Sequence, residues 1–198
     1  MHTIRDYLKE LSDLFVSDLH ASAYYRGLPP AERARVDRRL INDAAEGFFP
    51  LVPGALASDV ELLAEEVEAR LGIEMPAALE FLLGEIDGFV ENGTTFYSID
   101  TELTEGEPAA RPGIVAENER LWHDVPELAK RWLAVGDNEL SLFACRLDDE
   151  SWWALDRSSF TTQHQFDGPE GLLRFMLRTA LRLPLEGAEG RVADPGLN

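Results

Sequence analysis

The sequence predicts an α+β fold, with an antiparallel sheet of about four to six strands flanked by helices and with an N-terminal helical extension. Two observations support this prediction. Apolar residues recur at helical spacing over most of the first 90 residues and again at 172–181. Between these stretches, from about residue 132, short runs rich in β-branched and aromatic residues follow one another closely. Helices, then consecutive strands, then a closing helix form the order typical of an α+β domain.

Residues 1–57 are expected to form the helical extension, packed on the main domain. In "MHTIRDYLKELSDLFVSDLH" the apolar residues recur at helical spacing, and Thr3 is placed to cap the helix. A second helix is expected in "GLPPAERARVDRRLINDAAEGFFP", where the prolines suit a first turn and Gly47, followed by Pro50, ends the helix. This segment carries the basic patch of the chain, which consists of Arg26, Arg33, Arg35, Arg38 and Arg39.

The main domain, residues 58–183, is expected to begin with two helices. Ser58 can cap the first of them, "DVELLAEEVEARLG", which Gly72 would end. The second is expected in "IEMPAALEFLLGEIDGF" and should stop at Asp87, because Gly88 is placed to adopt the left-handed conformation of a helix end. The apolar stripe of this helix consists of Met75, Leu79, Leu82, Leu83 and Ile86.

A strand and further short helices are expected next. Asn92-Gly93 is typical of a tight turn, and it precedes the β-rich run "TTFYSI". The segment "IVAENERLWHDVPELAKRW" predicts one or two short helices, broken before Pro126 because the residue ahead of a proline disfavours helical geometry.

The rest of the domain is predicted to be a meander of strands and a closing helix. The β-like runs are "LSLFACRL", "SWWALD" and "TTQHQF", with the shorter "WLAVGD" ahead of them and "LDDES" as a hairpin connection. Asp167 with Glu170 resembles a capping box at the start of "GPEGLLRFMLRTALRL". Its buried face should comprise Leu172, Leu173, Met176, Leu177, Ala180 and Leu181. Residues 184–198 show no periodicity and are expected to be a flexible tail.

The charge balance limits the classes of partner. The 198 residues include 37 acidic and 18 basic side chains, a formal charge of −19. This excess argues against a nucleic-acid binder, since phosphate contacts need concentrated Lys and Arg. The first twenty residues carry charges throughout and resemble neither a signal peptide nor a membrane span, so a cytoplasmic protein without a membrane partner is expected.

Residue patterns typical of catalysis or metal binding are not found in the sequence. The four histidines are scattered without paired metal spacing, and no nucleophile-elbow or phosphate-loop motif occurs. Cys145 is the only cysteine, which rules out an intramolecular disulfide, and it lies in an apolar run where a buried, inert thiol is expected. We therefore expect no enzyme activity, no catalytic residue, no bound metal and no cofactor.

One segment concentrates negative charge. Between Arg70 and Arg111 no basic residue occurs. The same interval contains nine carboxylates: Glu74, Glu80, Glu85, Asp87, Glu91, Asp100, Glu102, Glu105 and Glu107. Clustered carboxylates can compete with a polyanion for a basic cleft and accelerate association. The alternative is a solvated acidic face that only keeps an acidic protein soluble.

Two adjacent tryptophans, Trp152 and Trp153, lie on a predicted strand, so their side chains should point to opposite faces of the sheet. Only one can enter a one-sided core. The other is either covered by the N-terminal helices or exposed, and an exposed tryptophan near carboxylates would be a plausible anchor for a partner.

The order of these signals resembles the SUKH superfamily, which joins the yeast Smi/Knr-type cell-wall regulator to many bacterial immunity proteins. In that family a Leu-Pro pair starts a short helix that ends in an Asn-Gly or Asp-Gly step before the first strand, and Met75-Pro76 and Asp87-Gly88 stand in those places. The stretch "RWLAVGDNELSLFACRLDDESWWALD" is similar to the later pattern of strand, Gly-Asp turn and two further strands. The resemblance covers about residues 58–182.

The resemblance implies a non-enzymatic binding protein. For bacterial members it implies an immunity protein that neutralises a cognate protein toxin, often a nuclease, by occluding its active site. Such a toxin is expected to be a secreted or contact-dependent effector. The alternative is a regulatory or scaffold protein of the Smi/Knr type. The candidate partner-binding residues are Glu85, Asp87, Asp100, Glu102, Asp137, Glu139 and Trp152. The chain is expected to be a monomer or a homodimer, with its basic helix docking within the chain or between two chains.

Overall fold

The computed structural model describes residues 2–45, 54–99 and 112–184. The chain divides into two compact units, Met1–Pro53 and Gly54–Asn198, whereas the sequence suggested a boundary after residue 57. Packing of the first unit on the second stays a prediction. The predicted tail, residues 184–198, lies outside the described residues except for Pro184.

The first unit consists of helices α1 (Ile4–Ala21), α2 (Ala23–Gly27) and α3 (Pro30–Ala45). Thr3 caps α1 as predicted: its hydroxyl oxygen accepts a hydrogen bond from the Asp6 N–H at 3.3 Å, and the Asp6 carboxylate accepts one from the Thr3 N–H at 2.8 Å. The short α2 was not predicted.

A polar cluster joins the three helices of this unit. The Tyr25 hydroxyl donates to both carboxylate oxygens of Asp37, at 2.7 and 2.8 Å. His20 Nε2 lies 3.1 Å from Asp37 Oδ1, and the rings of His20 and Tyr25 are 4.6 Å apart. This cluster ties one side of α3 to the end of α1 and to α2.

The second unit is an α+β domain, as the sequence predicts. Its helices are α4 (Ala57–Glu66), extended by a π-helical turn (Val67–Leu71), α5 (Ala77–Glu85), α6 (Ile114–Asp124), followed by a 3₁₀ turn (Pro126–Leu128), and α7 (Pro169–Ala180). Its strands are β1 (Phe89–Glu91), β2 (Thr94–Phe96), β3 (Trp132–Asp137), β4 (Ser141–Arg146), β5 (Ser151–Asp156) and β6 (Thr162–Phe166). They form one antiparallel sheet in the order of the sequence.

The predicted Asn92-Gly93 turn is confirmed. Both residues have positive φ, 47° and 75°, as a two-residue hairpin turn requires. The turn joins β1 to β2, so it connects two strands of a hairpin. Strand β1 was not predicted, because three residues are too few for an alternating pattern to be recognised.

Two predicted helix caps are wrong. Ser58 lies inside α4, whose N-cap is Leu56 and has no side-chain hydrogen bond. Helix α7 begins after Gly168, again without a side-chain cap, so Asp167 and Glu170 form no capping box. The Glu170 carboxylate instead accepts a hydrogen bond from Arg174 one turn along the helix, at 2.6 Å.

The end of α5 also differs from the prediction, although Gly88 is left-handed with φ of 72°. The helix ends at Glu85, because Ile86 already has extended geometry with φ of −159°. A Cβ on Gly88 would lie 2.8 Å from the Ser98 Cβ and 3.0 Å from the Phe96 carbonyl oxygen. The glycine is therefore required by a close approach of two backbone segments as well as by its φ angle.

Helix α7 covers one face of the sheet with the side chains that the sequence predicted. Leu172, Leu173, Met176, Leu177 and Ala180 are buried, and Leu181 is half-buried. Phe175 of α7 contacts Phe143 and Phe166, with ring centroids 5.9 and 5.3 Å apart. Burying a large apolar side chain contributes about 1.5–3 kcal/mol, so this face is a main source of stability.

Asn118 of α6 completes the hydrogen bonding of β3. β2 pairs only with Gly136 and Asp137, which leaves the first half of β3 without a strand on that side. The Asn118 side chain is fully buried there: Nδ2 donates to the carbonyl oxygens of Ala134 and Ile114, and Oδ1 accepts from the Ala134 N–H, each at 2.8 Å. A side-chain amide thus takes the place of a neighbouring strand.

We expect Asn118→Ala to lower the free energy of unfolding by about 2–4 kcal/mol, because it leaves a buried backbone N–H and C=O without these partners. Urea unfolding followed by circular dichroism measures this change. Arg120→Ala, on the exposed side of the same helix, is the control and should stay within about 1 kcal/mol. Equal effects of the two variants would contradict the role given to Asn118.

Candidate partner-binding surface

Helix α5 has one buried and one exposed face. Leu79, Leu82 and Leu83, and Ile86 just after the helix, have no exposed surface, as predicted. Met75, the fifth residue of the predicted stripe, lies ahead of the helix and is only half-buried. Residues 77, 80, 81 and 84, at the spacing of the opposite face, are exposed. This exposed side includes Phe81, whose side chain is 43% exposed.

Carboxylates flank Phe81. Glu80 is exposed and adjacent, and Glu85 lies one turn further along and is half-buried. Neither forms an ion pair within the part of the chain that the structure describes. We call Glu80, Phe81, Gly84 and Glu85 the α5 face. An aromatic ring with carboxylates beside it can enter an apolar pocket or lie against a cation, while the carboxylates accept hydrogen bonds from Lys or Arg.

The C-terminal end of α5 is held in place by the chain ahead of α4. The Ala55 N–H donates to the Leu83 carbonyl oxygen at 2.8 Å, which satisfies one of the carbonyl groups left free at a helix end. The α5 face is therefore carried by a helix that is fixed both through its buried leucines and at its terminus.

Asp87, a predicted partner-binding residue, has a structural contact. Its Oδ1 accepts a hydrogen bond from the Ile99 N–H at 2.9 Å, where the chain leaves β2. This bond joins the turn after α5 to the segment that follows β2. Asp87 as a whole is half-buried.

Asp137, at the end of β3, belongs to a partly buried polar cluster. Its Oδ2 accepts a hydrogen bond from the Tyr97 hydroxyl at 3.1 Å and lies 2.9 Å from Arg157 Nη1. Burial raises the pKa of Asp137, while Arg157 and the Tyr97 hydroxyl act in the opposite direction. Burial, together with the charge of Asp137, raises the pKa of Tyr97 well above its ordinary value.

Glu139 lies on the turn between β3 and β4, and it is exposed. The neighbouring Leu140 is 75% exposed. The turn is well fixed, because Asn138 Oδ1 accepts hydrogen bonds from the N–H groups of Leu140 and Ser141 at 2.9 and 2.7 Å. Glu139 therefore lies on a well-fixed turn that is separate from the α5 face.

The choice of Trp152 as a surface anchor is corrected by the structure. Trp152 is 2% exposed, and its cross-strand neighbours are Cys145 and Phe166, on the face that α7 covers. Trp153 points to the other face and is 9% exposed, with its ring edge-on to Trp132 at 6.4 Å. Neither indole can anchor a partner at the surface.

The remaining candidates are spread over the unit. Asp87 and Asp137 both hold the segment 97–99, one through the Ile99 N–H and the other through the Tyr97 hydroxyl. Glu85 belongs to the α5 face and Glu139 to the β3–β4 turn. Asp100 and Glu102 lie outside the described residues.

Phe81 was missed as a candidate. The signal was present, because Phe81 falls two positions after Leu79 and thus outside the apolar stripe that the sequence assigns to the buried side. A large aromatic residue at that position of an amphipathic helix should have been expected at the surface.

The described residues contain neither a reactive cysteine nor a cluster of metal ligands. Cys145 has no exposed surface, and burial raises the pKa of its thiol to about 12, which keeps it protonated and inert. Within residues 2–45, 54–99 and 112–184, no three His, Cys, Asp or Glu side chains are close enough together to hold a metal ion.

Comparison with known protein families, with curated proteins and with solved structures gives no match. None of the helices that the structure describes combines the length and the apolar character needed to cross a bilayer.

Asp87→Ala should lower the free energy of unfolding by about 1–2 kcal/mol, since it removes the acceptor for the Ile99 N–H. Glu80→Ala, which removes an exposed carboxylate without an ion pair in the described chain, should change it by less than about 0.5 kcal/mol. Chemical unfolding of both variants measures the difference. Equally small effects of the two variants would contradict the stabilising role given to the hydrogen bond between Asp87 and Ile99.

Asp137 should make stability depend on pH in a defined direction. Its pKa is raised in the folded protein above the ordinary value of 3.8, so ionisation of Asp137 opposes folding as pH rises above about 4. Asp137→Asn removes this effect. The free energy of unfolding of the variant, relative to the unmodified protein, should therefore increase between about pH 3 and pH 6.

Urea unfolding of both proteins at a series of pH values measures this difference. A difference that stays flat would mean that the ion pair with Arg157 cancels the effect of burial on Asp137, and a difference that falls with pH would mean that the ion pair outweighs it.

Proposed function

We propose that this chain is a non-catalytic binding protein of the immunity type, which neutralises a basic protein toxin such as a nuclease by covering its active site with the α5 face. The observation that carries the proposal is Phe81, an exposed aromatic side chain between Glu80 and Glu85 on a firmly held helix. The resemblance of residues 58–182 to the SUKH pattern supports the same class of function.

The charge of the unit fits a basic partner. Residues 54–198 carry 29 acidic and 11 basic side chains, a formal charge of −18. A field of this size attracts a cationic protein over several ångströms and raises its association rate, most strongly at low salt. A nuclease must present cations to a phosphate backbone, so an acidic face can occupy the same groove.

The two kinds of group on the α5 face have different roles in such a complex. Carboxylates at the rim mainly guide approach and orientation, because they stay partly hydrated. An aromatic side chain that becomes fully buried mainly slows dissociation. The α5 face therefore both raises the association rate and lowers the dissociation rate, without any covalent bond being made or broken.

A growth assay tests the proposed function. The gene next to the one for this chain is expected to encode a protein with a toxic basic domain, and that domain is produced in a bacterial host with and without the chain. We expect growth arrest by the domain alone, rescue by co-production, and a stable complex on gel filtration. A neighbouring gene without a toxic product, or a failure to rescue, would contradict the proposal.

Two variants locate the contact. Phe81→Ala should weaken the complex by about 10- to 100-fold, mainly through faster dissociation. Glu80→Lys should slow association by about three- to tenfold at low salt and much less at high salt. Surface plasmon resonance measures both rates.

Glu127→Lys is the matched control, because Glu127 is also exposed and has no ion pair in the described chain. It changes the net charge by the same amount and should leave the dissociation rate unchanged. If rescue occurs but Phe81→Ala and Glu80→Lys behave like this control, the function stands and the α5 face is the wrong surface.

A further inference from the structure

Gly84 is a glycine that its own helix does not require. It lies in the last turn of α5 and is exposed. Its φ is not positive, so a side chain would cause no backbone strain there. A Cβ added to Gly84 would have no described atom within 4 Å, apart from its chain neighbours and the backbone of its own helix. Glycine destabilises a helix relative to alanine, so the folding of this helix does not account for Gly84.

The contact with the chain ahead of α4 does not account for this glycine either. A Cβ on Gly54 would lie 1.9 Å from the Gly84 carbonyl oxygen, so the two backbones are in close contact. This contact requires a glycine at position 54. It involves the carbonyl group of Gly84 and leaves open the space that a side chain at position 84 would enter.

The missing side chain leaves a notch beside Phe81. Side chains on a helix tilt toward its N-terminus and cover the turn before them. A side chain at position 84 would therefore lie over Glu80 and Phe81, which precede it by four and three residues. We call the open space bounded by Glu80, Phe81 and Gly84 the notch. It lies in the middle of the α5 face, next to a ring that is 43% exposed.

The groups around the notch favour a cation that also has an apolar part. Gly84 provides bare helix backbone, and Phe81 provides an aromatic ring. Glu80 and the nearby Glu85 are carboxylates without an ion pair in the described part of the chain. The notch also lies near the C-terminal end of α5, where the helix dipole adds partial negative charge. These features attract positive charge and offer no hydrogen-bond donor from a side chain.

We propose that the notch binds an arginine side chain of the partner. A guanidinium is planar and weakly hydrated, so it can stack on the Phe81 ring while it donates hydrogen bonds to the Glu80 carboxylate. The aliphatic part of the arginine lies against Gly84, where the absence of a Cβ allows close approach. Lysine fits less well, because its ammonium group is a compact and strongly hydrated charge.

This inference rests on the proposed function, since it takes the partner to be a basic protein. It adds which kind of side chain enters the α5 face, and it assigns Gly84 a role in recognition. Because an arginine side chain can be supplied as a small compound, the notch can be tested without the toxin.

A titration of the full chain with N-acetyl-arginine amide, followed by NMR, tests the proposal. The signals of the Gly84 N–H and the Phe81 ring should shift and saturate. N-acetyl-lysine amide, titrated in parallel, should bind at least about threefold more weakly. Shifts that are absent at Gly84 and Phe81, that are scattered over the acidic surface, or that are equal for the two compounds would overturn the proposal.

Two substitutions fill the notch in steps. Gly84→Ala and Gly84→Met both replace a helix glycine with a better helix former, and alanine should raise the equilibrium constant for folding by about two- to fivefold. Binding of the arginine compound should nevertheless fall, by about twofold for alanine and by at least about fivefold for methionine. A more stable protein that binds less separates recognition from folding. Unchanged binding to Gly84→Met would overturn the proposal.

Ala77→Met is the matched control. Ala77 is exposed and lies one turn before Phe81 on the same helix, so the added side chain should point away from the notch. It should leave binding of the arginine compound unchanged. An equal loss of binding in Ala77→Met and Gly84→Met would show that bulk anywhere on α5 interferes, and would contradict the notch as the site.

The same variants separate this inference from the proposed function. In the complex with the toxic domain, Gly84→Met should raise the dissociation constant by at least about tenfold and Ala77→Met should not. If the arginine compound binds at the notch but the chain fails to rescue growth, the proposed function is wrong and the arginine site stands. If rescue occurs and Gly84→Met binds the toxic domain as well as the unmodified protein does, the proposed function stands and this inference is wrong.

Discussion

The sheet of the second unit depends on how the open side of β3 is closed. β2 reaches only Gly136 and Asp137, so the first half of the strand would otherwise leave backbone groups unpaired in the core. The Asn118 amide pairs with Ala134, and the Tyr97 N–H donates to the Val135 carbonyl oxygen at 2.8 Å. These bonds bring α6 and the segment after β2 against the same strand.

The candidate surface is positioned through this closure. The segment 97–99 is held on β3, and its Ile99 N–H donates a hydrogen bond to Asp87. Gly88 lies close to Phe96 and Ser98, and this contact fixes the path of the chain from α5 into β1. Helix α5 is then confined by its buried leucines on one side and by this turn at its end. The position of Phe81 therefore depends on the packing of these leucines together with the hydrogen bonding around β3.

Periodicity explains which parts of this arrangement could be predicted from the sequence. The strands from β3 to β6 and the buried face of α7 follow from side-chain patterns that repeat over five or more residues. The first residues of α4 and α7 could not be predicted, since the N-cap residues Leu56 and Gly168 provide no capping side chain. Asn118 could not be predicted either, because its partner Ala134 lies 16 residues away and becomes a neighbour only in the folded sheet. Phe81 was predictable from the helical spacing. Strand alternation also predicted that Trp152 and Trp153 lie on opposite faces of the sheet, but it left open whether the second of them is covered.

The carboxylates of the second unit differ in what they do for folding, and composition alone cannot separate them. Arg70 bridges Glu66 and Glu119 and so joins the end of α4 to α6, while Asp87 and Asp137 hold the chain after β2. Glu80 and Glu85 contribute no comparable bond among the described residues, yet they add to the self-repulsion of a unit with a formal charge of −18. Phe81 beside them leaves 43% of its surface exposed to water in the monomer. Under the function proposed above, such carboxylates on a rigid helix serve contact with another molecule, and their negative charge favours a basic one.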